Sequence, residues 1–196
     1  MILLVVAAVA IAIGLARGGR LEGLSKLQLR GAALILGLFA LQFSLRQVAP
    51  MLHVLSPSAL VLLWCGVSLG LLASCVVNRR IRGMPLIAVG IALNLAVVAL
   101  NAGMPAGGAL AASLGMSPSP SVVAAHGGFY RIVDSETVAA ALGDVVPIPA
   151  PRPLRSLVSI GDVLMFLGAG VLIEEGVREG RYRAKHGIAR PPETGL

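Results

Sequence analysis

Long apolar segments alternate with polar or Gly/Pro-containing segments along most of this chain. A helix needs roughly 20 predominantly apolar residues to cross a bilayer, and five of the apolar segments approach or reach that length. The pattern therefore predicts an all-α polytopic membrane protein with five transmembrane helices, at residues 2–16, 31–47, 59–77, 86–100 and 157–173.

Positive charge is divided unevenly among the segments that follow these helices. Most of the 16 Lys and Arg residues fall in alternate segments. Because such residues are enriched in cytoplasmic loops, we expect a multi-pass protein of the cytoplasmic (plasma) membrane with its N-terminus outside and its C-terminus in the cytoplasm. The residues that predict this orientation are Arg17, Arg20, Lys26, Arg30, Arg79, Arg80, Arg82, Arg178, Arg181, Arg183, Lys185 and Arg190.

The first apolar segment also has features of a cleaved signal peptide, because it is short and contains the small residues Ala8 and Ala10. A signal peptide carries positive charge before its apolar run, whereas here Arg17 and Arg20 follow it directly. We therefore expect an uncleaved helix whose amino end lies outside.

The composition supports lipid as the solvent for much of the chain. Hydrophobic residues make up 57% of the 196 residues, and the mean hydropathy is +0.89. A soluble domain of this size buries too little of itself to hide so much apolar surface. The net charge of +7 could indicate nucleic acid, but aromatic residues make up only 4% and the basic residues cluster at helix ends. We therefore expect membrane lipids as partners of this chain, with membrane proteins as possible further partners and no nucleic acid.

The chain is predicted to form a single five-helix membrane domain over residues 1–174, followed by a basic cytoplasmic tail at 175–196. Between helices 4 and 5, residues 101–156 are rich in Gly, Pro, Ala and Ser but also contain apolar stretches at 129–133 and 145–148. A disordered linker rarely contains such stretches, so this segment predicts a small mixed cap on the outer face. We expect a short strand at 129–133 and a short helix from Asp134 to Gly143.

Polar residues near the outer ends of the helices are the candidates for a ligand pocket. Asn94 and Asn101 are seven residues apart on the fourth helix and share one stripe, which should face the bundle because amides in contact with lipid are costly. The stripe is explained either by hydrogen bonds between helices or by an outward-facing pocket. His126, Asp144 and Asp162 are expected at a similar depth and complete the candidate set.

Ser159 and Asp162 have the spacing of a capping box at the start of the fifth helix. Asp162 could in addition face a ligand or a cation. Arg46, Trp64 and Tyr130 are predicted to be anchors at the membrane interface. The chain contains no motif for a catalytic nucleophile, a phosphate loop or a zinc protease, so no catalytic residue, metal or cofactor is predicted.

Several short motifs occur in order along the chain: Arg17-Gly-Gly-Arg-Leu21, Asn78-Arg-Arg80 followed by Leu86 to Asn94, Asn101-Ala-Gly-Met-Pro105, His126, Leu142-Gly-Asp-Val-Val-Pro147 and Ser159-Ile-Gly-Asp-Val-Leu164. Together they resemble an uncharacterised family of small bacterial integral membrane proteins, defined only as a domain of unknown function. The resemblance covers nearly the whole chain and implies a five-helix bundle, but no activity. This chain has Asn-Ala-Gly at 101–103 where the family pattern is Asn-Gly-Gly.

These observations favour a non-enzymatic membrane protein, either a subunit of a membrane complex or a binder of a lipid-like or quinone-like molecule in an outward-facing pocket. The first alternative is an outer-leaflet enzyme acting on a lipid or lipid-linked substrate, with Asp144 or Asp162 as base and His126 as acid. The second alternative is a transporter or channel. That function requires a continuous polar path, and the third and fifth helices have almost no polar residue at mid-membrane depth.

Overall fold

The computed structural model describes residues 2–47, 55–116, 118–119, 123, 126–151 and 155–185. Within these ranges the protein is mostly helical, with six α helices, two 3-10 helices and four short strands. The α helices are α1 (Ile2–Ala16), α2 (Ala32–Gln47), α3 (Pro57–Val77), α4 (Met84–Asn101), α5 (Ala109–Ser113) and α6 (Ile160–Lys185). The strands are β1 (Met104–Ala106), β2 (Tyr130–Ile132), β3 (Val146–Ile148) and β4 (Ser156–Val158), and the 3-10 helices are Leu21–Lys26 and Ala140–Leu142.

The ends of α3 and α4 follow from local sequence signals. The Ser56 hydroxyl accepts a hydrogen bond from the Ala59 N–H at 3.3 Å, and Pro57 occupies the first turn of α3, where no backbone donor is needed. Helix α4 ends at Asn101 because Ala102 adopts the left-handed conformation, with φ 48°. The first four predicted helices agree with α1 to α4 to within two residues at each end.

The last helix differs from its prediction at both ends. The sequence predicts residues 157–173, whereas α6 spans Ile160–Lys185. It begins later because the residues before Ser159 form β4, and the side chain of Ser159 then caps α6. The predicted end is wrong because loss of hydrophobicity does not itself end a helix. Val177 is fully buried against Gly14 of α1, so the charged part of α6 is held by packing.

The long helices pack side by side in the order α1, α6, α4, α3, α2. Helices α4 and α6 approach most closely through two pairs of glycines, Gly90 with Gly161 and Gly83 with Gly168. An added Cβ on Gly161 would lie 2.6 Å from the Gly90 carbonyl oxygen, and one on Gly168 would lie 2.6 Å from that of Gly83. The two helices therefore run antiparallel, with their backbones almost in contact.

Helix α6 has a different neighbour along its second half. Gly170 lies beside Val6, and Val177 lies beside Gly14, so α1 runs parallel to α6. Helix α6 therefore lies between α4 and α1 and packs on both of them. Its first half packs on α4 and its second half packs on α1.

The hydrophobic core joins α3 and α4 to the cap. Phe129, which is 2% exposed, packs against Trp64 of α3 with ring centroids 5.4 Å apart. Val97 and Val98 of α4 are fully buried in the same cluster. The cap is therefore anchored by an aromatic side chain inserted between the ends of the helices.

The predicted cap contains two small sheets among its described residues. Strands β1 and β2 pair in parallel, and β3 and β4 pair antiparallel. The predicted strand at 129–133 is present as β2 (Tyr130–Ile132). The predicted helix from Asp134 to Gly143 is wrong: Asp134 forms a turn with Thr137, and only Ala140–Leu142 is helical, as a 3-10 turn. The Asp134 side chain bonds locally to this turn, which competes with helix formation.

Two helices, α3 and α4, are long and apolar enough to cross a membrane. About two thirds of each apolar stretch is not buried within the molecule, and large side chains such as Leu62 lie 72% exposed. Helices α1 and α2 are also apolar but shorter. Their surfaces expose Leu4 and Leu36 to a similar degree.

Candidate functional site

Three of the predicted polar residues meet between α4 and α6. The Asn94 amide donates a hydrogen bond to Asp162 Oδ1 at 2.8 Å, and its carbonyl oxygen accepts one from the Ser159 hydroxyl at 2.7 Å. The Asp162 backbone N–H donates to Ser159 Oγ at 2.8 Å, and the Ser159 N–H lies 3.5 Å from Asp162 Oδ2. These three residues, called here the polar cluster, combine the capping box of α6 with an amide from α4.

The polar cluster depends on the close approach of the two helices. Asn94 is 5% exposed and Ser159 is fully buried, so both side chains need partners inside the protein. Gly161 lies directly against the Asn94 side chain, and Gly90 lies one turn earlier on α4. Since neither glycine has a Cβ, the short side chains can reach across the interface.

Asn101 does not join the polar cluster, although it shares a stripe with Asn94. Its amide donates hydrogen bonds to the carbonyl oxygens of Val97 at 2.8 Å and Val138 at 2.9 Å. Its own carbonyl oxygen accepts from the Val138 N–H at 2.9 Å. Asn101 therefore clamps the cap to the end of α4.

Asp144 and His126 lie elsewhere in the cap. Asp144 is 3% exposed, and its backbone bonds to Pro105 at 2.7 Å and to Gly107 at 3.1 Å. The His126 ring packs edge-on against Tyr130, with centroids 5.2 Å apart. Of the five pocket candidates, Asn94 and Asp162 are joined directly by a hydrogen bond.

The three expected interface anchors have different surroundings. Trp64 is 5% exposed and packs in the core. Its Nε1 has no hydrogen-bond acceptor among the described residues. Tyr130 is half-buried and borders a cleft. The side chain of Arg46 lies outside the described part of the structure.

A cleft of about 740 Å³ opens between the end of α4 and the cap. We call it the cap cleft. Leu100, Ile132 and Val138 form apolar parts of its wall, and all three are at least 45% exposed. Asn101, Tyr130 and Arg131 contribute polar groups. Of the pocket candidates predicted from the sequence, only Asn101 is among the described residues lining this cleft.

Asp134 gives the cap cleft a negative charge. The Thr137 hydroxyl donates a hydrogen bond to Asp134 Oδ1 at 2.8 Å, and the Glu136 N–H donates another at 3.0 Å. These bonds favour the charged form and hold the pKa of Asp134 below its ordinary value. The cleft therefore combines the Arg131 guanidinium, the carboxylates of Asp134 and Glu136 and an apolar wall.

Replacing Asn101 by alanine should release the Val138 segment from α4. We expect a stability loss of about 1 kcal/mol and faster hydrogen exchange of the Val138 amide, because that N–H loses its acceptor. Hydrogen exchange with peptide-level mass spectrometry measures the effect. Ser113→Ala, which removes an exposed bond to Leu110 within the cap, is the control and should leave exchange at Val138 unchanged. Equal exchange in both variants would contradict the clamp.

Over its described residues, the protein is mostly helical, with two helices long and apolar enough to cross a membrane and a mixed cap at the end of α4. The chain belongs to DUF5317, a family of unknown function, whose model matches residues 26–174. This match confirms the resemblance to a family of unknown function. Helix α1 and the motif at 17–21 lie before the matched residues. No curated protein and no solved structure matches the chain.

Proposed function

We propose that this chain is a five-span protein of the plasma membrane, without enzymatic activity, that binds a lipid-like or quinone-like molecule in the cap cleft. In this proposal, helices α1, α2, α3, α4 and α6 cross the membrane, with the N-terminus outside and the C-terminus in the cytoplasm. The observation that carries the proposal is the mixed polar and apolar lining of the cap cleft.

The arrangement of the ends of the helices supports this topology. Asn78, after α3, is hydrogen-bonded to Arg30, before α2, and Arg82 pairs with Glu175 of α6 at 3.7 Å. The basic loops thus lie near one another, while the cap lies at the other end of α4. Helices α1 and α2, of 15 and 16 residues, are shorter than a typical bilayer core and would need local thinning of the membrane.

The depth of the polar cluster supports a cap that enters the outer leaflet. Ser159 follows β4 of the cap and bonds to Asn94, which lies about 10 Å before Asn101 along α4 at the rise of an α helix. Irregular backbone at membrane depth is tolerated where protein surrounds it. The buried Ser159 and its partners meet that condition. A cap placed this way would open the cap cleft to the level of lipid headgroups.

The chemistry of the cap cleft favours an amphipathic ligand. Its volume is within the roughly 300–1,000 Å³ that is usual for small-molecule sites. Ile132 and Val138 supply apolar surface, while Arg131 places a positive charge near two carboxylates, Asp134 and Glu136. A neutral or zwitterionic polar group with an apolar tail satisfies both parts.

The arrangement of the titratable residues gives less support to an enzyme. Asp162 is engaged by Asn94 and Ser159, Asp144 is buried beside Pro105, and His126 packs on Tyr130. General acid–base catalysis needs the acid and the base within hydrogen-bond reach of one reacting group. Because Asp162 is engaged in the helix cap and Asp144 is buried, we do not propose the acid–base reaction that the sequence allows as an alternative.

Photo-crosslinking tests the proposal. The full chain is reconstituted in vesicles that contain either a diazirine-bearing phosphatidylcholine or a diazirine-bearing ubiquinone analogue, and labelled peptides are mapped by mass spectrometry. We expect one of the probes to label residues 130–138. Ile132→Glu should lower this labelling about fivefold or more, because it places a charge in the apolar wall.

Leu110→Glu is the matched control, since Leu110 is an exposed apolar residue of the cap that is not among the described residues of the cleft. It should leave the labelling of residues 130–138 unchanged. Labelling confined to the exposed faces of α2 and α3, with no difference between the two variants, would refute ligand binding in the cap cleft.

A further inference from the structure

A second cleft lies where the loop after α3 meets the loop before α2. It has a volume of about 390 Å³, and its lining includes Gln28, Arg30, Arg79 and Arg80. We call it the basic cleft. It adjoins the start of α4, whereas the cap cleft adjoins the end of that helix, so the two clefts are separate features.

A buried amide holds the basic cleft together. Asn78 is 3% exposed, and its carbonyl oxygen accepts a hydrogen bond from the Arg30 N–H at 2.9 Å. Its amide group donates to the carbonyl oxygens of Arg30 at 3.1 Å and Ser74 at 2.9 Å. These bonds join two loops that are 48 residues apart in sequence and hold the backbone of Arg30 against Asn78, the residue before Arg79.

Three other arginines at this end of the molecule are paired with carboxylates. Arg17 and Arg178 pair with Glu174, and Arg82 pairs with Glu175. Among the residues that the structure describes, Arg30, Arg79 and Arg80 have no ion-pair partner. Three guanidinium groups with no carboxylate to balance them favour an anion, which would reduce their mutual repulsion.

The surroundings of the cleft indicate what kind of anion it takes. Guanidinium groups form paired hydrogen bonds with phosphate oxygens, a geometry that suits a phosphodiester. Val77 lies in the cleft wall and is 57% exposed, and Val76 beside it is 50% exposed. The positive charge is therefore continuous with the apolar surface of α3, where an acyl chain could lie. A free phosphate ion would use only the charged part.

We propose that the basic cleft binds the phosphodiester headgroup of an anionic phospholipid, with its acyl chains along the exposed end of α3. In the topology proposed above, this lipid belongs to the cytoplasmic leaflet. Binding in detergent does not depend on orientation or on the cap cleft, so failure of this proposal is distinguishable from failure of the proposed function.

Native mass spectrometry of the full chain in neutral detergent tests this site. The protein is titrated with phosphatidylglycerol or phosphatidylcholine of the same acyl composition, and the bound fraction is counted. We expect phosphatidylglycerol to bind at least about tenfold more tightly. Arg79→Gln combined with Arg80→Gln should lower its affinity about tenfold or more, with the thermal stability of the protein retained because both side chains are exposed.

The matched control combines Arg17→Gln with Arg82→Gln, which removes the same charge from neighbouring arginines that are paired with carboxylates. We expect phosphatidylglycerol affinity to stay within about twofold of the original. An equal loss in both double variants would show general attraction by positive charge and would overturn the site. Equal binding of the two lipids would also overturn it. Complete displacement of the lipid by millimolar glycerol phosphate would indicate a free-phosphate site and contradict the role of the acyl chains.

Discussion

Gly161→Ala should strongly destabilise the protein by overpacking the contact between α4 and α6. The new Cβ would lie 2.6 Å from the Gly90 carbonyl oxygen and would also overlap the Asn94 side chain. Helices α4 and α6 would have to separate, which would stretch the hydrogen bonds of the polar cluster. We expect a loss of about 3 kcal/mol, the upper part of the usual range for overpacking, and a fall in the melting temperature of roughly 6–12 °C.

Thermal unfolding in detergent measures this effect, and the chain offers a matched control. Gly66 and Gly37 also lie within helices, but a Cβ added to either of them would meet nothing within 4 Å. Alanine at these two positions should be neutral or stabilise the protein by about 0.5–1 kcal/mol, because alanine favours helix more than glycine does. If Gly161→Ala unfolds at the same temperature as Gly66→Ala, the close contact of α4 with α6 is incorrect.

The bounds of the first four helices could be predicted because their apolar segments end where helix-ending residues begin. Ser56 and Pro57 mark the start of α3, and the short basic loop after Val77 marks its end. The end of α6 could not be found this way. Its sequence becomes charged after Ile173, but Val177 still packs on α1, and that contact depends on the tertiary structure.

The polar residues illustrate a similar limit. The spacing of Asn94 and Asn101 places them on one face of α4. It does not predict which residues of other segments contact that face. Asn94 meets the start of α6, whereas Asn101 meets Val138 of the cap. The capping signal of Ser159 and Asp162 was readable because it is local. The hydrogen bond from Asn94, which lies 68 residues earlier than Asp162, could not be predicted from a local pattern.

The two clefts depend on contacts between distant segments. The cap segment has few charged residues, and two of them, Arg131 and Asp134, lie on either side of Ile132. This concentration of charge is the sequence signal that could have identified the cap cleft. For the basic cleft, the sequence places Asn78 beside Arg79 and Arg80 but does not indicate its bonds to Arg30. Loop positions are set by such bonds rather than by periodicity.

Asn94→Ala and Asp162→Ala should each cost about 2 kcal/mol, and their effects should not add. Asn94 donates to a carboxylate oxygen at 2.8 Å, and hydrogen bonds to charged groups contribute about 1.5–3 kcal/mol. Removing one partner leaves the other between α4 and α6 without this hydrogen bond. In the double variant both side chains are absent, so neither is left without its hydrogen-bond partner. The double variant should therefore be more stable than the sum of the single effects by at least about 1 kcal/mol.

A second pair of variants makes this measurement specific to the polar cluster. Gln42 of α2 donates to Ser68 of α3 at 3.2 Å, in a separate helix contact. Gln42→Ala combined with Asn94→Ala should be additive within about 0.5 kcal/mol, because the described contacts of the two side chains share no residue. Chemical unfolding in mixed detergent micelles provides the free energies for both cycles. Additivity between Asn94 and Asp162 would mean that the bond across the helices contributes nothing, and that Asp162 stabilises only the start of its own helix.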